Sequence, residues 1–109
     1  MRKADLVSRI AEKKNVPKVD VLIVLEAFFE EVKISLTRGE NVYVRGFGSF
    51  VVKKRARKMG RNIKLKQTIE IPEHYIPAFK PAKTFSEDVK RETEGKHFEK
   101  ASKAEPEED

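Results

Sequence analysis

The chain has no cysteine among its 109 residues, and this absence removes several classes of function at once. Disulfide frameworks, zinc-thiolate sites, iron-sulfur clusters and cysteine nucleophiles all require a thiol. The sequence also lacks an apolar run long enough to span a bilayer, and its first residues lack the apolar stretch of a signal peptide. We therefore expect no membrane partner and a cytoplasmic location, a reducing compartment in which thiols do not form disulfides.

Catalytic and metal-binding patterns are also scarce. The two histidines, His74 and His97, lie far apart in the sequence without a cysteine or a carboxylate pattern beside them, so we interpret both as surface residues. Gly46 and Gly48 lack the third glycine and the following helix of a dinucleotide-binding loop, and we interpret them as a turn. We expect no enzyme activity, no cofactor and no metal.

Positive charge is what the sequence has in excess, and it is unevenly distributed. Residues 1–94 carry 21 basic and 13 acidic side chains, whereas residues 95–109 carry three lysines and five acids. Residues 53–66 contain eight Lys and Arg side chains and no acid. Such a segment is expected to bind a polyanion, and the alternative is a solvated hairpin that only keeps the protein soluble.

The apolar residues in the first third of the chain have the spacing of helices. Residues 3–14 place their apolar side chains on one stripe, with an acid in the first turn and lysines in the last, as the helix dipole favours. Asn15 is expected to cap this helix, and Pro17 to open a second one that ends near residues 38–39. The second helix has an apolar band too wide for a single small body to cover, which predicts a symmetric dimer.

After the second helix the apolar period changes to two, which is typical of β-strands. Residues 42–52 alternate around a turn at residues 46–48 and predict a hairpin. Its second strand is expected to continue through the basic stretch to Asn62 and to return over residues 67–79. Part of so long a hairpin must project into solvent, and we call residues 53–75 the arm.

Prolines and a change of composition define the last third of the chain. Pro72 and Pro77 mark the returning strand as an edge, because proline offers no N–H to a neighbouring strand. Pro81 permits a short last helix. Residues 95–109 are rich in Lys, Glu, Ala, Ser and Pro, which predicts a disordered acidic tail. This tail either solubilises the protein or competes internally with the polyanion for the arm.

Three motifs occur in a fixed order along the chain. They are Gly-Phe-Gly-Ser-Phe at residues 46–50, Gly-Arg-Asn at 60–62 and Pro-Ala-Phe-Lys-Pro-Ala-Lys at 77–83. In this order, after two helices, they closely resemble the bacterial histone-like HU/IHF family over about residues 1–90. The resemblance implies an α+β domain over residues 1–94 with two N-terminal helices, a three-stranded antiparallel sheet with a long β-ribbon arm, and a short C-terminal helix, in an intertwined dimer.

The same resemblance implies a function. Architectural proteins such as HU and IHF wrap two arms into the DNA minor groove and kink the duplex with an apolar wedge at each arm tip. We expect a histone-like homodimer that compacts the bacterial chromosome in the nucleoid, binding duplex DNA with low sequence specificity and no small-molecule substrate. A site-specific DNA-bending factor and an RNA-binding or protein-interaction module remain the alternatives.

The resemblance also assigns roles to residues. Asn62 is expected to meet minor-groove acceptors. Residues 63–66 stand where the family usually has a proline and then a Thr-Gly turn, so Ile63 is expected to replace the proline as the wedge, with Leu65 as its rival. The residues predicted to bind DNA are Lys3, Lys53, Arg55, Lys58, Arg61, Asn62, Ile63, Lys64, Lys66, Lys80 and Lys83. The residues predicted to fill the dimer core are Leu36, Phe47, Phe50 and Phe79.

Overall fold

The structure is a computed structural model that describes residues 1–64 and 66–97, with Asn62 described by its backbone alone. Leu65, the rival wedge residue, and residues 98–109, which make up most of the predicted acidic tail, lie outside the described part. In chain order the elements are α1 (Lys3–Lys14), α2 (Lys18–Thr37), β1 (Val42–Val44), β2 (Gly48–Arg55), β3 (Lys58–Asn62), β4 (Gln67–Ile71), β5 (His74–Pro81) and α3 (Lys83–Thr93).

The helices begin and end close to the predicted residues. Asn15 ends α1 in the left-handed conformation with a φ of 53°, which asparagine tolerates better than most residues. Pro17 lies just before α2, and its carbonyl oxygen accepts the N–H of Val21. Pro81 is still the last residue of β5, and α3 begins only at Lys83. The last helix therefore begins two residues after the proline that was expected to permit it.

The three-stranded sheet is antiparallel, in the order β1-β2-β5. β1 and β2 form the predicted hairpin, with Val44 opposite Gly48. Pro77 lies opposite Val52 in β5, an edge strand of this sheet, where its missing N–H breaks no ladder hydrogen bond. Glycine is needed where β2 begins, because a Cβ on Gly48 would lie 2.5 Å from the carbonyl oxygen of Lys80.

The long hairpin is not the single continuous ribbon that the sequence predicted. Antiparallel pairing stops at Arg55 and His74 and resumes only between β3 and β4. Residues 56–57 and 72–73 belong to no strand, and we call these four residues the arm break. The prediction of one unbroken strand was wrong here because Pro72 has no N–H to donate across the hairpin.

Few side chains are buried in the single chain. Of the predicted dimer-core residues, Leu36 and Phe50 are half-buried, whereas Phe47 and Phe79 are 44% and 39% exposed. The Phe47 ring packs against Phe79 and Phe85, with centroids 5.1 Å and 5.4 Å away. This much uncovered apolar surface is the kind that a partner subunit covers. The buried hydrophobic residues of the described part are Val7, Ala11, Val21 and Val51.

Candidate nucleic-acid interface

The pleat of the three-stranded sheet places alternate side chains on its two faces. Phe50 of β2 faces α2, where its ring centroid lies 6.3 Å from that of Phe28. Successive side chains of a strand point to opposite faces, so Lys53 and Arg55 share the other face with the buried Val51, and we call this face the outer face. The register of β5 puts Lys80 on this outer face as well. The fold therefore brings together cations that are distant in the sequence.

Ion pairs distinguish two groups among the cations of the arm, the outer face and the start of α3. Lys54 Nζ lies 3.4 Å from Glu73 Oε2, and a guanidinium nitrogen of Arg57 lies 2.9 Å from Glu70 Oε2. The other group is exposed and makes no ion pair within residues 1–64 and 66–97, so its charge is available to a polyanion. This second group is Lys53, Arg55, Lys58, Arg61, Lys66, Lys80 and Lys83.

Two of the predicted DNA-binding lysines are the first residues of helices. Lys3 is the first residue of α1 and forms an ion pair, because its Nζ lies 2.8 Å from Glu26 Oε2 in α2. Lys83 opens α3, whose N-cap residue Ala82 has no side-chain oxygen to bond the first backbone N–H groups. Helix N-termini attract anions through those groups. Lys83 therefore combines a cation with backbone donors that suit a phosphate.

The outer part of the arm is a two-stranded ribbon of β3 and β4. Lys58 lies opposite Ile71, and Arg61 lies opposite Thr68. Because they are three residues apart in one strand, Lys58 and Arg61 project from opposite faces of the ribbon. The Ile71 side chain lies over Gly60, since a Cβ added to Gly60 would be 3.1 Å from Ile71 Cδ1. The described side chains of β3 and β4 include no buried one, so this ribbon has no core of its own.

The arm tip has a residue in the left-handed conformation although the family's turn glycine is absent. Asn62 and Gln67 form the last backbone pair before the turn. Lys66 adopts a left-handed conformation with a φ of 52°, which costs about 1 kcal/mol or more for a residue with a Cβ. Ile63 is 84% exposed, more than any other large hydrophobic residue in the described chain. An apolar side chain is thus held in water at the tip.

The histidines take no part in a metal or catalytic cluster among the described residues. His74 is exposed, and its Nδ1 lies 3.0 Å from the carbonyl oxygen of Pro72, two residues earlier in the same segment. His97 is exposed beyond α3. Residues 1–64 and 66–97 contain no group of three potential metal ligands. None of their helices combines the length and the apolar character that crossing a membrane requires.

Sequence reasoning missed the acids that pair with Lys54 and Arg57. Glu70 and Glu73 are the only acids of residues 53–75, and both lie near the arm break. The presence of two isolated acids in a basic segment was the available signal of ion pairs in the arm. This signal identifies the partners only when the cross-strand register is known, because the register decides which cation each carboxylate can reach.

A basic sheet face that continues into a basic β-ribbon defines a nucleic-acid-binding protein. A family model described as "Bacterial DNA-binding protein" matches residues 1–90. The chain belongs to this family, the HU/IHF family of bacterial DNA-binding proteins, as its motifs predicted. Residues 91–109 lie beyond the matched region.

Individual relatives agree with the family match. The chain is 41% identical to DNA-binding protein HU of Thermotoga maritima over 90 residues, which are 83% of this chain and 100% of that protein. It is 39% identical to integration host factor subunit beta of Pseudoalteromonas atlantica, over 82% of this chain and 94% of that protein. The HU chain of an Anabaena HU-DNA cocrystal structure superposes with a TM-score of 0.78 at 39% identity, over 82% of this chain and 97% of that chain. The predicted α+β fold is confirmed.

Proposed function

We propose that this protein is a histone-like architectural factor that binds and bends duplex DNA through the minor groove with low sequence specificity. The observation that carries the proposal is the run of exposed, unpaired cations from the outer sheet face into the arm, on a fold shared with a DNA-bound HU. Such a surface neutralises successive phosphates along one duplex. By this function the protein compacts the bacterial chromosome and is located in the nucleoid.

The active form is a homodimer. Phe47 and Phe79, at 44% and 39% exposure, leave apolar surface beside α2 that a second copy of the same surface covers. A two-fold axis then provides two arms, which can grip the duplex from both sides of the body. A single arm would provide half of the phosphate contacts and one wedge.

The unpaired cations act on phosphates or the groove floor. Lys53, Arg55 and Lys80 belong to the outer face of the sheet, and the arm extends this path by way of Lys58 and Arg61. Each phosphate contact releases counterions from the DNA, so binding is strong at low salt and indifferent to base sequence. Asn62 is suited to the acceptors that every base pair presents in the minor groove.

Ile63 acts as the wedge that kinks the duplex. At 84% exposure it already pays the cost of an apolar side chain in water, and insertion between two base pairs removes that cost. Bending a site costs on the order of 1–6 kcal/mol, so pre-bent or nicked DNA is preferred.

A second candidate function is site-specific bending. The chain is 39% identical to an integration host factor subunit, which is close to its 41% identity to an HU protein. Competition between random DNA and sequences selected by repeated binding separates the two candidates. Equal affinities support the histone-like function, and a preference of 10³-fold or more supports the site-specific one. Neither candidate needs a catalytic group.

The decisive experiment is an electrophoretic mobility series over salt with linear, nicked and pre-bent duplexes. With six or more phosphate contacts, affinity should fall about 10³-fold or more between 50 mM and 200 mM salt. Nicked and pre-bent duplexes should bind more tightly than the linear one. Duplex RNA of the same sequence is the control, because its minor groove is wide and shallow. A flat salt response, or equal affinity for duplex RNA, would contradict the proposed function.

A further inference from the structure

The arm break interrupts both strands of the hairpin at the same level. Pairing ends with Arg55 opposite His74, and two residues on each strand separate that pair from β3 and β4. A cavity of about 520 Å³ opens at the break, lined in part by Arg55 and Lys58. Because this space is not filled by side chains, packing alone does not determine how the ribbon is directed relative to the body.

Two ion pairs connect the break to the regular strands on either side of it. Arg57, in the outgoing half of the break, contacts Glu70 of β4 at 2.9 Å. Glu73, in the returning half, contacts Lys54 of β2 at 3.4 Å. The first pair therefore fastens the break to the ribbon, and the second fastens it to the body.

Both pairs are diagonal contacts between strands. Glu70 lies opposite Met59 in the register, two residues from Arg57. Lys54 lies opposite Tyr75, two residues from Glu73. Diagonal neighbours are about 7–8 Å apart at the backbone, a span that long side chains such as these can bridge. Each pair thus acts as a brace across the hairpin.

We propose that Glu70 and Glu73 are positioning residues that set the direction of the arm by bracing Arg57 and Lys54 across the arm break. The inference deepens the proposed function, on which its relevance to DNA rests. It also divides the basic arm by role. Arg57 and Lys54 hold the geometry of the hairpin, whereas Arg55 and the unpaired cations near it bind the phosphates.

The braces are strong enough to favour one direction of the arm and too weak to fix the arm in that direction. The four side chains are 52% to 64% exposed, so each pair is screened by solvent and salt. A bias of this size shifts the distribution of arm directions in the free protein. It still allows the arm to close on the duplex.

The first test measures arm direction without DNA. The chain has no cysteine, so Thr68→Cys puts one spin label on each exposed arm of the dimer, and pulsed EPR gives the distribution of distances between the two arms. We expect Arg57→Gln and Glu70→Gln each to broaden this distribution. Exchanging the charges, Arg57→Glu together with Glu70→Arg, should narrow it again, which the loss of a merely structural side chain would not predict.

The matched control is Asp88→Asn, which removes an equally exposed ion pair with Arg91, 2.8 Å long, in α3. It should leave the distance distribution unchanged. If Arg57→Gln and Glu70→Gln also leave the distribution unchanged, or if the charge exchange fails to restore it, the brace is wrong. Circular dichroism on every variant separates loss of arm direction from loss of folding.

The second test determines whether Arg57 holds the geometry of the hairpin or contacts DNA. The slope of log K against log salt should lose about 0.9 for each phosphate contact removed. Arg55→Gln should therefore flatten the slope by about 0.9 per arm, while Arg57→Gln leaves it unchanged. An equal loss in both variants would overturn the division of roles. If the unmodified protein shows no salt dependence, the proposed function fails, and the distance measurement still tests the brace.

Discussion

The body and the arm of this protein are built from the same kind of strand but are stabilised in different ways. In the body, β2 packs Phe50 against α2 and includes the buried Val51. In the ribbon of β3 and β4, no described side chain is buried. The body therefore draws its stability from burial, and the ribbon from backbone pairing, the Arg57–Glu70 ion pair and, when bound, the DNA.

This difference means that substitutions should divide cleanly between the two regions. Changes in the body should alter the free energy of unfolding, and through it every activity of the protein. Changes in the arm should alter DNA affinity and bending at unchanged stability. Substitutions of the same chemical type, made once in each region, provide the strictest comparison.

The largest effect is expected from Gly48→Ala in the body. Its new Cβ would lie 2.5 Å from the Lys80 carbonyl oxygen and 2.7 Å from Phe79 Cζ, so β2 and β5 would have to separate. We expect a loss of about 3 kcal/mol in the free energy of unfolding, measured by urea denaturation at fixed protein concentration. Gly60→Ala is the matched change in the arm, where the only tight contact of the new Cβ is with the flexible end of Ile71 at 3.1 Å, and Ile69 Cγ1 lies at an ordinary 3.6 Å. Equal losses of unfolding free energy in both variants would contradict the proposed difference between the body and the arm.

An intermediate effect is expected from Ile63→Ala at the arm tip. The side chain is 84% exposed, so unfolding should change by less than about 0.5 kcal/mol. Affinity for an intact linear duplex should fall about tenfold, roughly 1.4 kcal/mol, because the wedge offsets part of the unstacking cost. The bend, measured by FRET between the duplex ends, should decrease. Ile63→Leu is the control and should keep the bend; an unchanged bend in the alanine variant would remove Ile63 as the wedge.

The smallest effect is expected from Lys66→Gly, which sharpens the comparison within the arm. Lys66 has a φ of 52°, and glycine adopts this conformation without the cost of about 1 kcal/mol paid by a residue with a Cβ. We expect amide hydrogen exchange in β3 and β4 to slow about fivefold, at unchanged stability of the body. Lys66→Ala removes the same charge but keeps the conformational cost. Identical exchange rates in the two variants would show that the turn does not limit arm order.

The helices and the first hairpin could be predicted because their signals are local. The apolar stripe of residues 3–14, the left-handed Asn15 and the proline before α2 each act within a few neighbouring residues. The motifs around Gly46 and Asn62 identified the family for the same reason. Such signals need no knowledge of which strands meet.

The arm break and its braces could not be predicted because they depend on register. Pro72 predicted only that the returning strand is an edge, and it is the pairing of Arg55 with His74 that shows residues 56–57 to lie opposite the interruption. The partner of Arg57 follows from the same alignment. The outer face likewise requires the register of β2 with β5, which brings Lys80 beside cations far from it in the sequence. Sequence spacing alone carries none of these cross-strand distances.

The small core of the single chain has a consequence for the protein in solution. Where folding and pairing of two chains are one event, the free energy of unfolding depends on protein concentration. Each tenfold increase in concentration then adds about 1.4 kcal/mol to the stability of the folded dimer. The amount of protein in the cell therefore sets what fraction of the chains is folded into DNA-binding units.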